Sequence, residues 1–544
     1  MKPRDYFSTE KLRGGFYTPQ KIADFILRWA TNGNEDYDIL EPSCGDGSFL
    51  KQIRENNFKY KSIKAVEIIK SEAEKAVKLN LPRSTIMNRD FYEYCNSTED
   101  RFDLVVGNPP YIRYQFFDKD QRGEAEKIFT KANMKYSKLT NAWVSFVVGS
   151  SLLLKEKGKI GFVLPAELLQ VGFAKQLRQY LSNFYNKINI VSFRKLIFKG
   201  LQQEVILLLC EKNNGNAHLI EHLEVGDETE LDALDVTKLK SPKKRIDFNS
   251  NKWTFYFLKQ EEIDFIENIL SKKEILPLRS YAEVEVGMTT GSNQFFTVSS
   301  EVVEEYNLWD YAFPLVGRSV QVPSVILTKE DWKRNISSGA RAYFLKFPPL
   351  KELTKYDGVL RYLDYGKKNK VDKYYKTSIR DEWHIVPSAW VSDGLFLRRS
   401  NIYPKFVINE AKAYTTDTMH RISIKRDARL LDMKAVNINS LVASYYNSLS
   451  FASAEISGRS HGAGVLELMP NEVRNILVPY QEENSKMLRK IDNMMRNEDS
   501  IDDILQVTDE VILRDGYGFT EKEVNLANRI WKTLSHRRIE RNKS

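Results

Sequence analysis

Short apolar runs alternate with helical patterns through the N-terminal part of the chain. In the first helical pattern, apolar residues recur every three or four positions from Ile22 to Trp29, with Thr18 predicted as the N-cap and Pro19 as the first helical residue. Strands and helices that follow one another in this way predict an α/β fold, a mostly parallel, doubly wound, Rossmann-like sheet. Predicted strands cover 37–41, 62–68, 86–91, 102–107, 158–164, 187–193 and 204–210, and further predicted helices cover 70–79, 141–154 and 167–181.

The rhythm changes at a basic, proline-containing run, 238–245, which is typical of a linker. Beyond it, short β-like stretches such as 282–286 and 406–409 mix with helical patches, which predicts a mixed α+β domain. The pattern is mostly helical from residue 482 onward. We therefore predict a first domain over 1–240, a second over 246–480, and a C-terminal helical region over 481–544.

Polar residues follow the first four predicted strands, as Glu41, Glu67, Asp90 and Asn108. Because the carboxyl ends of parallel strands meet at one edge of a sheet, these side chains are expected to lie together. Taken singly, Glu67 or Asp90 is as readily explained as a helix cap.

The glycine loop after the first strand, 42–50, is not the GxGxxG fingerprint of dinucleotide-binding proteins. Glu41 at the end of the strand and Asp46 in the loop place acids where a phosphate site favours backbone N–H groups without negative charge. Such a loop suits a ligand with its own positive charge, such as S-adenosylmethionine. Glu67 is placed to accept hydrogen bonds from ribose hydroxyls, and Asp90 from an adenine amino group with Phe91 packed on the ring.

The fourth strand delivers Asn108-Pro109-Pro110-Tyr111. The Asn108 side chain offers a carbonyl acceptor, Pro109 offers a carbonyl on a stiff backbone, and Tyr111 offers a flat face. Together they can accept two hydrogen bonds from a planar –NH2 group and hold its ring, which methyl transfer to an amino or amide nitrogen needs. The structural alternative is a proline-rich turn with an asparagine cap.

Composition sets wider bounds. A chain of 544 residues with 42% hydrophobic and 12% aromatic residues predicts a globular protein of several domains. Its net charge of +9 permits a polyanionic partner. Three scattered cysteines favour a reducing compartment and neither a disulfide framework nor a metal cluster. No signal peptide is evident, and the longest apolar run, 143–154, is too short to cross a bilayer. We therefore expect no metal, no membrane and a cytoplasmic protein.

Taken in order, these segments resemble the γ-class DNA adenine-N6 methyltransferases, the TaqI-like and Eco57I-like family. The shared features are a Thr-Pro helix start, the Glu-Pro-x-Cys-Gly loop, a ribose acid, an Asp-Phe pair and Asn-Pro-Pro-Tyr. The resemblance implies that Asn108, Pro109, Pro110 and Tyr111 are catalytic and that Tyr111 and Phe198 sandwich the flipped-out base. It implies a cofactor site for S-adenosyl-L-methionine made of Tyr17, Thr18, Glu41, Pro42, Cys44, Gly45, Gly47, Glu67, Ile68, Asp90, Phe91, Asn108, Pro110 and Phe146.

The second half is similar to the recognition domains of that family at 287–293 and 457–479, which implies double-stranded DNA as partner. Within 367–380 six basic residues are interleaved with two tyrosines, the residue types that contact phosphates and planar surfaces. A solvated loop explains this run equally well. The predicted DNA contacts are Arg113, Lys367, Lys368, Lys370, Arg398, Arg399, Arg459 and His461.

Other functions stay open on the sequence alone. A protein glutamine-N5 or ribosomal RNA methyltransferase can use the same motif, because an amide nitrogen poses the same problem. Asp393 with Glu410 and Lys412 resembles a nuclease pattern, which allows a restriction-modification fusion, and a non-catalytic DNA-binding module is a third alternative. For the methyltransferase we expect a monomer in the bacterial cytoplasm, acting on nucleoid DNA, with a separate cognate restriction endonuclease as a candidate partner.

Overall fold

The computed structural model divides the chain into two compact units, 1–260 with 540–544, and 261–539. The residues that it describes are 17–31, 36–112, 119–137, 140–198, 204–213, 215–236, 239, 243–247, 252–425, 435–461 and 464–540. The limits predicted from the sequence, at 240, 246 and 480, stay predictions.

Within the described part of the first unit, nine strands form one sheet in the order β3-β2-β1-β4-β5-β7-β6-β8-β9. Strands β1 to β5 pair in parallel, β7 is antiparallel to both β5 and β6, and β8 is parallel to β6. This sheet with helices between its strands confirms the predicted Rossmann-like α/β class. The strands are Asp38–Glu41, Ser62–Glu67, Ser84–Asn88, Phe102–Gly107, Leu154–Pro165, Lys187–Phe193, Val205–Glu211, Leu219–Val225 and Lys244–Arg245.

Eight α-helices precede or connect the strands that the structure describes in this unit. Helix α1 packs against α2, β4 and β5. A Cβ added at Gly161 of β5 would lie 2.5 Å from Cγ2 of Ile26, so the missing side chain lets α1 approach the sheet. The helices are α1 Gln20–Ala30, α2 Ser48–Glu55, α3 Lys70–Val77, α4 Phe91–Ser97, α5 Lys119–Lys131, α6 Ala142–Leu152, α7 Glu167–Gln170 and α8 Lys175–Phe184.

Two predicted helices differ in detail. Pro19, not Thr18, is the N-cap of α1, and its carbonyl accepts from the N–H groups of Ile22 and Ala23. The single helix expected over 167–181 is broken at Val171, whose backbone is extended. There the buried Arg178 donates to the carbonyl groups of Leu168 and Val171, so a side chain replaces the helical hydrogen bonds.

The segment expected to be a linker is partly built into the first sheet. Strand β9 pairs with β8, and Lys244 donates to the main-chain carbonyl of Tyr256 at 2.8 Å. The rings of Phe257 and His222 then pack edge to face with centroids 4.0 Å apart. The charged run 238–245 gave no sign of this pairing, because the apolar residues that fasten the segment lie further along the chain.

The second unit contains four small sheets among its described residues, in the orders β10-β23, β11-β20-β16-β18-β14, β12-β15-β13-β19 and β17-β22-β21. This mixture of short strands and helices is the α+β character expected after residue 245. The strands are Leu276–Pro277, Ala282–Val286, Thr297–Val298, Ala312–Val316, Ile326–Leu327, Tyr343–Leu345, Gly394–Leu397, Arg399–Ser400, Phe406–Asn409, Tyr414–Thr415, Met419–Ile424, Arg459–His461, Val465–Glu467 and Leu477–Val478, β10 to β23 in order.

The α-helices of this part of the chain continue the numbering. They are α9 Gln260–Lys272, α10 Asn293–Phe296, α11 Ser300–Glu305, α12 Lys329–Ser337, α13 Asp357–Lys368, α14 Tyr375–Ser378, α15 Ile438–Tyr445, α16 Ser448–Ser457, α17 Pro470–Val473, α18 Leu488–Arg496, α19 Ile501–Asp509 and α20 Glu521–Glu540.

Candidate active site

The predicted site residues converge at one edge of the nine-stranded sheet. Glu41 and Glu67 are the last residues of β1 and β2, Asp90 follows β3, and Asn108 follows β4. These four strands are adjacent and parallel in the order β3-β2-β1-β4, so their carboxyl ends face the same side. The four polar residues at these strand ends therefore lie in one row along this edge of the sheet.

The loop between β1 and α2 is held in place by Glu67. Its Oε2 accepts from the N–H of Gly45 at 2.9 Å, and its Oε1 accepts from the N–H of Ile69 at 2.8 Å. Gly47 has φ of +90°, a left-handed conformation that favours glycine. Burial raises the pKa of Glu67, while the backbone donors act in the opposite direction. Each carboxylate oxygen keeps a second lone pair for a ligand.

Glu41 is the most unusual group of the site. Its side chain is only 2% exposed, and Oε2 has no hydrogen-bond partner among the described residues. Burial raises the pKa of this carboxyl well above its usual value, and the nearby Glu67 and Asp46 add to the effect. An uncompensated buried carboxylate is costly unless a cation joins it. The site therefore fits a cofactor that carries positive charge.

The remainder of the loop is compatible with such a ligand. A Cβ added at Gly45 would meet no atom within 4 Å, so space is open beside this residue. Pro42 and Cys44 are buried beneath the loop. Burial, followed by the charges of Glu41 and Glu67, raises the pKa of the Cys44 thiol, so Cys44 lines the loop as an apolar group.

On the β3 side, Asp90 caps helix α4. Its Oδ1 accepts from the N–H of Tyr92 at 2.6 Å, and its Oδ2 accepts from Gln121 at 3.0 Å. The structural alternative for Asp90, a helix cap, is thus realised, and its adenine contact stays a prediction. The rings of Phe91 and Phe146 stack at 4.8 Å, which joins α4 to α6.

Three predicted cofactor residues differ widely in exposure. Thr18 is buried, Ile68 is 54% exposed, and Tyr17 is 59% exposed with its hydroxyl 3.3 Å from Glu72 Oε2. An exposed apolar side chain such as Ile68, directly after the Glu67 strand end, is well placed to cover a ligand. Their roles stay predictions.

The Asn-Pro-Pro-Tyr segment is tied to both neighbouring strands. The Tyr111 hydroxyl lies 2.9 Å from Asn108 Oδ1 and 3.1 Å from the main-chain carbonyl of Val163 in β5. The Ser43 hydroxyl lies 3.4 Å from the main-chain carbonyl of Asn108, which links the glycine loop to the motif. Burial raises the pKa of Tyr111, so its phenol keeps its proton.

Phe198, the predicted partner of Tyr111, is 7% exposed and belongs to a buried apolar cluster. Tyr111 packs against that same cluster. Both aromatic residues therefore adjoin the main apolar cluster of the first unit, and their pairing across a base stays a prediction.

The predicted DNA contacts fall into two groups. Lys367, Lys368 and Lys370 are exposed at the end of α13, where Lys368 pairs with Asp364 at 2.8 Å. Arg398 and Arg399 both pair with Glu467, and Arg459 pairs with Glu472. Arg113 lies outside the described residues, and His461 is described only as the end of a strand.

The residues of the nuclease-like pattern are not gathered into a cluster of metal-ligating side chains. No cluster of three or more metal-ligating side chains occurs in the described ranges. Asp393 instead accepts from the N–H of Ile424 at 3.1 Å, and Glu410 and Lys412 are exposed in the turn after β18.

Within the described ranges no helix is long and apolar enough to span a membrane.

Sequence reasoning missed three groups that support the site, namely Ser43, Gln121 and the carbonyl of Val163. Ser43 lies in the glycine loop, but its acceptor, the main-chain carbonyl of Asn108, becomes a neighbour only because β1 and β4 pair in the sheet. Gln121 and Val163 are distant in sequence from Asp90 and Tyr111, and no spacing rule connects them. The contacts of Ser43 and Val163 follow from the sheet order, and that of Gln121 follows from the packing of α5 against α4.

Comparisons with known protein families agree with this geometry. Residues 26–198 match the family model described as Eco57I restriction-modification methylase. Residues 250–513 match the model of the C-terminal domain of the Type II methyltransferase M.Eco57I. Together the two models cover most of the chain.

Curated relatives include the Type II methyltransferase M.AccI of Acinetobacter calcoaceticus, 25% identical over 476 residues, or 84% of each chain. M.BanIII of Aneurinibacillus aneurinilyticus is 26% identical over 235 residues, which are 38% of this chain and 40% of that protein. The Type II restriction enzyme and methyltransferase RM.Eco57I of Escherichia coli is 26% identical over 211 residues, 38% of this chain and 20% of its own length.

Among solved structures, a DrdV–DNA complex aligns with a TM-score of 0.48 at 11% identity over 89% of this chain and 58% of that chain. A putative class I S-adenosylmethionine-dependent methyltransferase of Listeria monocytogenes aligns at 0.33 and 16% identity over 40% and 68%.

S-adenosylmethionine is the cofactor of such methylases, and its positive charge suits the uncompensated Glu41. The family models match both halves of the chain, and the sheet order and the acidic strand ends agree with the match. The chain belongs to the Eco57I-like group of restriction-modification methyltransferases.

Proposed function

We propose that this DNA methyltransferase is site-specific and transfers a methyl group from S-adenosylmethionine to N6 of an adenine flipped out of double-stranded DNA. The observation that carries the proposal is one juxtaposition. The uncompensated carboxylate of Glu41 and the Asn-Pro-Pro-Tyr segment lie at the same sheet edge, joined through the hydrogen bond between Ser43 and Asn108. A cation-holding group thus stands beside a pair of carbonyl acceptors.

The cofactor supplies an electrophilic methyl group on its sulfonium. On the protein side, Asn108 Oδ1 and the main-chain carbonyl of Pro109 each accept one proton of the target amino group. These two bonds counter the delocalisation of the N6 lone pair into the purine ring and direct that lone pair out of the ring plane. Reaction then depends on positioning and electrostatics, and no nucleophilic side chain is needed.

The protein must also hold a base outside the helix. Flipping costs about a few kcal/mol, and stacking on an aromatic ring returns about 1–3 kcal/mol per base. We assign this stacking to Tyr111 and Phe198, both of which adjoin the main apolar cluster of the first unit. Exposed basic residues of the second unit, with Lys367 and Lys370 among them, would contact the phosphates.

The direct test is an assay with purified protein, labelled S-adenosylmethionine and unmethylated genomic DNA, followed by mass spectrometry of the nucleosides. We expect N6-methyladenine, and long-read sequencing should place it in one recognition sequence. Methyl groups found on cytosine, or only on release factor or ribosomes offered in parallel, would reject the adenine assignment.

Three further parts of the proposal concern the oligomeric state and location of the enzyme, its partner nuclease and its recognition domain. We propose that it works as a monomer in the bacterial cytoplasm and that a separate cognate endonuclease cleaves the unmethylated sequence. We also assign target recognition to 246–480 with the helical region 481–544. Sedimentation of the purified protein with and without a DNA duplex tests the monomer, and Mg²⁺-dependent cleavage by the protein alone would contradict the separate nuclease.

A further inference from the structure

We propose that the hydroxyl group of Tyr111 is a positioning group for Asn108, with a role separate from the stacking assigned to the Tyr111 ring. The inference rests on the proposed function, because it assigns Asn108 to the target amino group. It concerns one oxygen atom, so it can be tested by a substitution that leaves the aromatic ring in place.

The hydroxyl has one proton and faces two acceptors, which share that proton in a three-centre hydrogen bond. It lies 2.9 Å from Asn108 Oδ1 and 3.1 Å from the main-chain carbonyl of Val163. Val163 is fully buried in β5, which pairs with β4 on one side and β7 on the other. The carbonyl is therefore a rigid anchor, and it fixes the hydroxyl relative to the end of β4, where Asn108 leaves the sheet.

The chemistry of the amide makes this contact important. The oxygen and nitrogen of an asparagine side chain are similar in size, but one accepts and the other donates. A reversed Asn108 would present N–H groups to a target amino group that also donates. A hydroxyl proton directed at Oδ1 favours the productive orientation, and an amide oxygen has a second lone pair with which it can accept from the substrate.

Burial raises the pKa of Tyr111, so the hydroxyl is a proton donor throughout the working pH range. It is accordingly not the group that removes the proton released from the amine. Its role is to hold the acceptor before the base arrives, which is the kind of support that rigid active sites obtain from neighbouring hydrogen bonds.

The test compares Tyr111→Phe with wild type in single-turnover methyl transfer on a duplex that carries the recognition sequence. We expect the rate constant to fall about 3- to 10-fold, the effect of losing one hydrogen bond. The dissociation constants for DNA and for S-adenosylmethionine should not change. Fluorescence of 2-aminopurine placed at the target position should also stay as in wild type, because the ring still stacks.

Tyr60→Phe is the matched control. The Tyr60 hydroxyl also donates to a main-chain carbonyl, that of Pro82 at 2.8 Å, and its ring belongs to the apolar cluster against which Tyr111 packs. Its hydroxyl bonds to Pro82 and not to the Asn-Pro-Pro-Tyr segment. A loss caused by weaker folding alone would appear in both variants, whereas we expect the rate to fall only in Tyr111→Phe.

A second measurement asks whether the hydroxyl acts through the amide. In Asn108→Asp both side-chain oxygens accept, so no orientation needs to be chosen. We expect Tyr111→Phe to cause no fall in rate on this background. An equal fall on both backgrounds would overturn the proposal, because the hydroxyl would then act independently of Asn108.

Two other results would also overturn it. One is a Tyr111→Phe enzyme as fast as wild type, and the other is a slower enzyme without the 2-aminopurine signal, since the ring would then be the affected part. If wild-type enzyme methylates no amine of DNA, the proposed function fails and the inference fails with it. If wild type forms N6-methyladenine and Tyr111→Phe is equally fast, only the inference fails.

Discussion

At the scale of single residues, the site contrasts two kinds of buried polar group. Glu67 is satisfied, since the backbone N–H groups of Gly45 and Ile69 hold both of its oxygens. Glu41 is more deeply buried and keeps one oxygen without a partner in the described part of the chain. Glu67 holds the loop in place, whereas the burial of Glu41 has an electrostatic cost that a cationic ligand reduces.

This contrast predicts a trade between stability and binding. We expect Glu41→Gln to raise the melting temperature of the protein without cofactor by about a few degrees at neutral pH, because the fold no longer has to bury a charge or bind a proton at this position. Its affinity for S-adenosylmethionine should fall about 10- to 100-fold, as expected for a hydrogen bond to a charged group. Calorimetry measures both quantities, and a variant with lower stability and unchanged affinity would contradict the assignment.

The same carboxyl predicts a pH dependence. Its folded-state pKa lies well above its usual value of 4.5, so the folded protein binds the proton more tightly than the unfolded chain. Glu41 therefore lowers the free energy of unfolding as pH rises from about 4.5 through the raised pKa. The thermal shift caused by S-adenosylmethionine should grow over this window in wild type, and the growth should be absent in Glu41→Gln.

Asn108 gives the simplest catalytic test. Asn108→Ala removes one of the two carbonyl acceptors, and we expect the methyl-transfer rate to fall about 100-fold or more. DNA binding should change by less than about twofold, because phosphate contacts supply most of the affinity. Filter binding and single-turnover assays on the same duplex separate the two effects, and a variant that methylates normally would reject the catalytic assignment.

At the scale of elements, short connections decide the geometry. The loop between β1 and α2 turns through two left-handed glycines, Gly45 at φ +52° and Gly47 at +90°. This conformation brings the N–H of Gly45 to Glu67, so the loop backbone forms one structural unit with Glu41 and Glu67.

The two glycines predict different losses. Gly47→Ala would place Cβ 2.6 Å from Leu79 Cδ1, so we expect a cost of about 2 kcal/mol in unfolding free energy from strain and crowding together. Gly45→Ala meets open space and should cost only about 1 kcal/mol, the left-handed strain alone. Urea unfolding of the pair gives the comparison, and equal losses would contradict it.

Elements also show where pattern reading succeeds. The apolar runs of β1, β2, β4, β6 and β7 were visible because these strands are short and most of their residues are buried. The break after α7 was not visible, because Arg178 replaces helical hydrogen bonds with contacts that no periodicity records. The strands β8 and β9 were missed because they carry charged residues at the sheet margin.

At the scale of the whole molecule, the two units divide the chemistry from the proposed recognition. The residues proposed for methyl transfer lie in the first unit, and Lys367, Lys368 and Lys370, at and just after the end of α13, lie in the second. The ion pair between Lys368 and Asp364 offsets part of the positive charge of this surface.

Charge on α13 should therefore set DNA affinity without setting sequence. Replacing Lys367 or Lys370 by Gln should weaken binding to all duplexes and reduce the salt dependence of binding by about one unit for each phosphate that the protein no longer neutralises. Asp364→Asn is the control of opposite sign and should strengthen binding. If all three variants bind as wild type at every salt concentration, this surface does not contact DNA.

The sequence by itself determined the α/β class, the acids at the strand ends and the Asn-Pro-Pro-Tyr segment, because burial patterns and strand-end chemistry are local properties. Only the tertiary structure decided that Glu41 is uncompensated, that Glu67 organises the loop, and that the Tyr111 hydroxyl joins Asn108 to Val163. These facts depend on strands that are neighbours in the sheet but distant in the chain. Hydrogen-bond partners and burial follow from that adjacency, which cannot be recognised from residue types and their spacing.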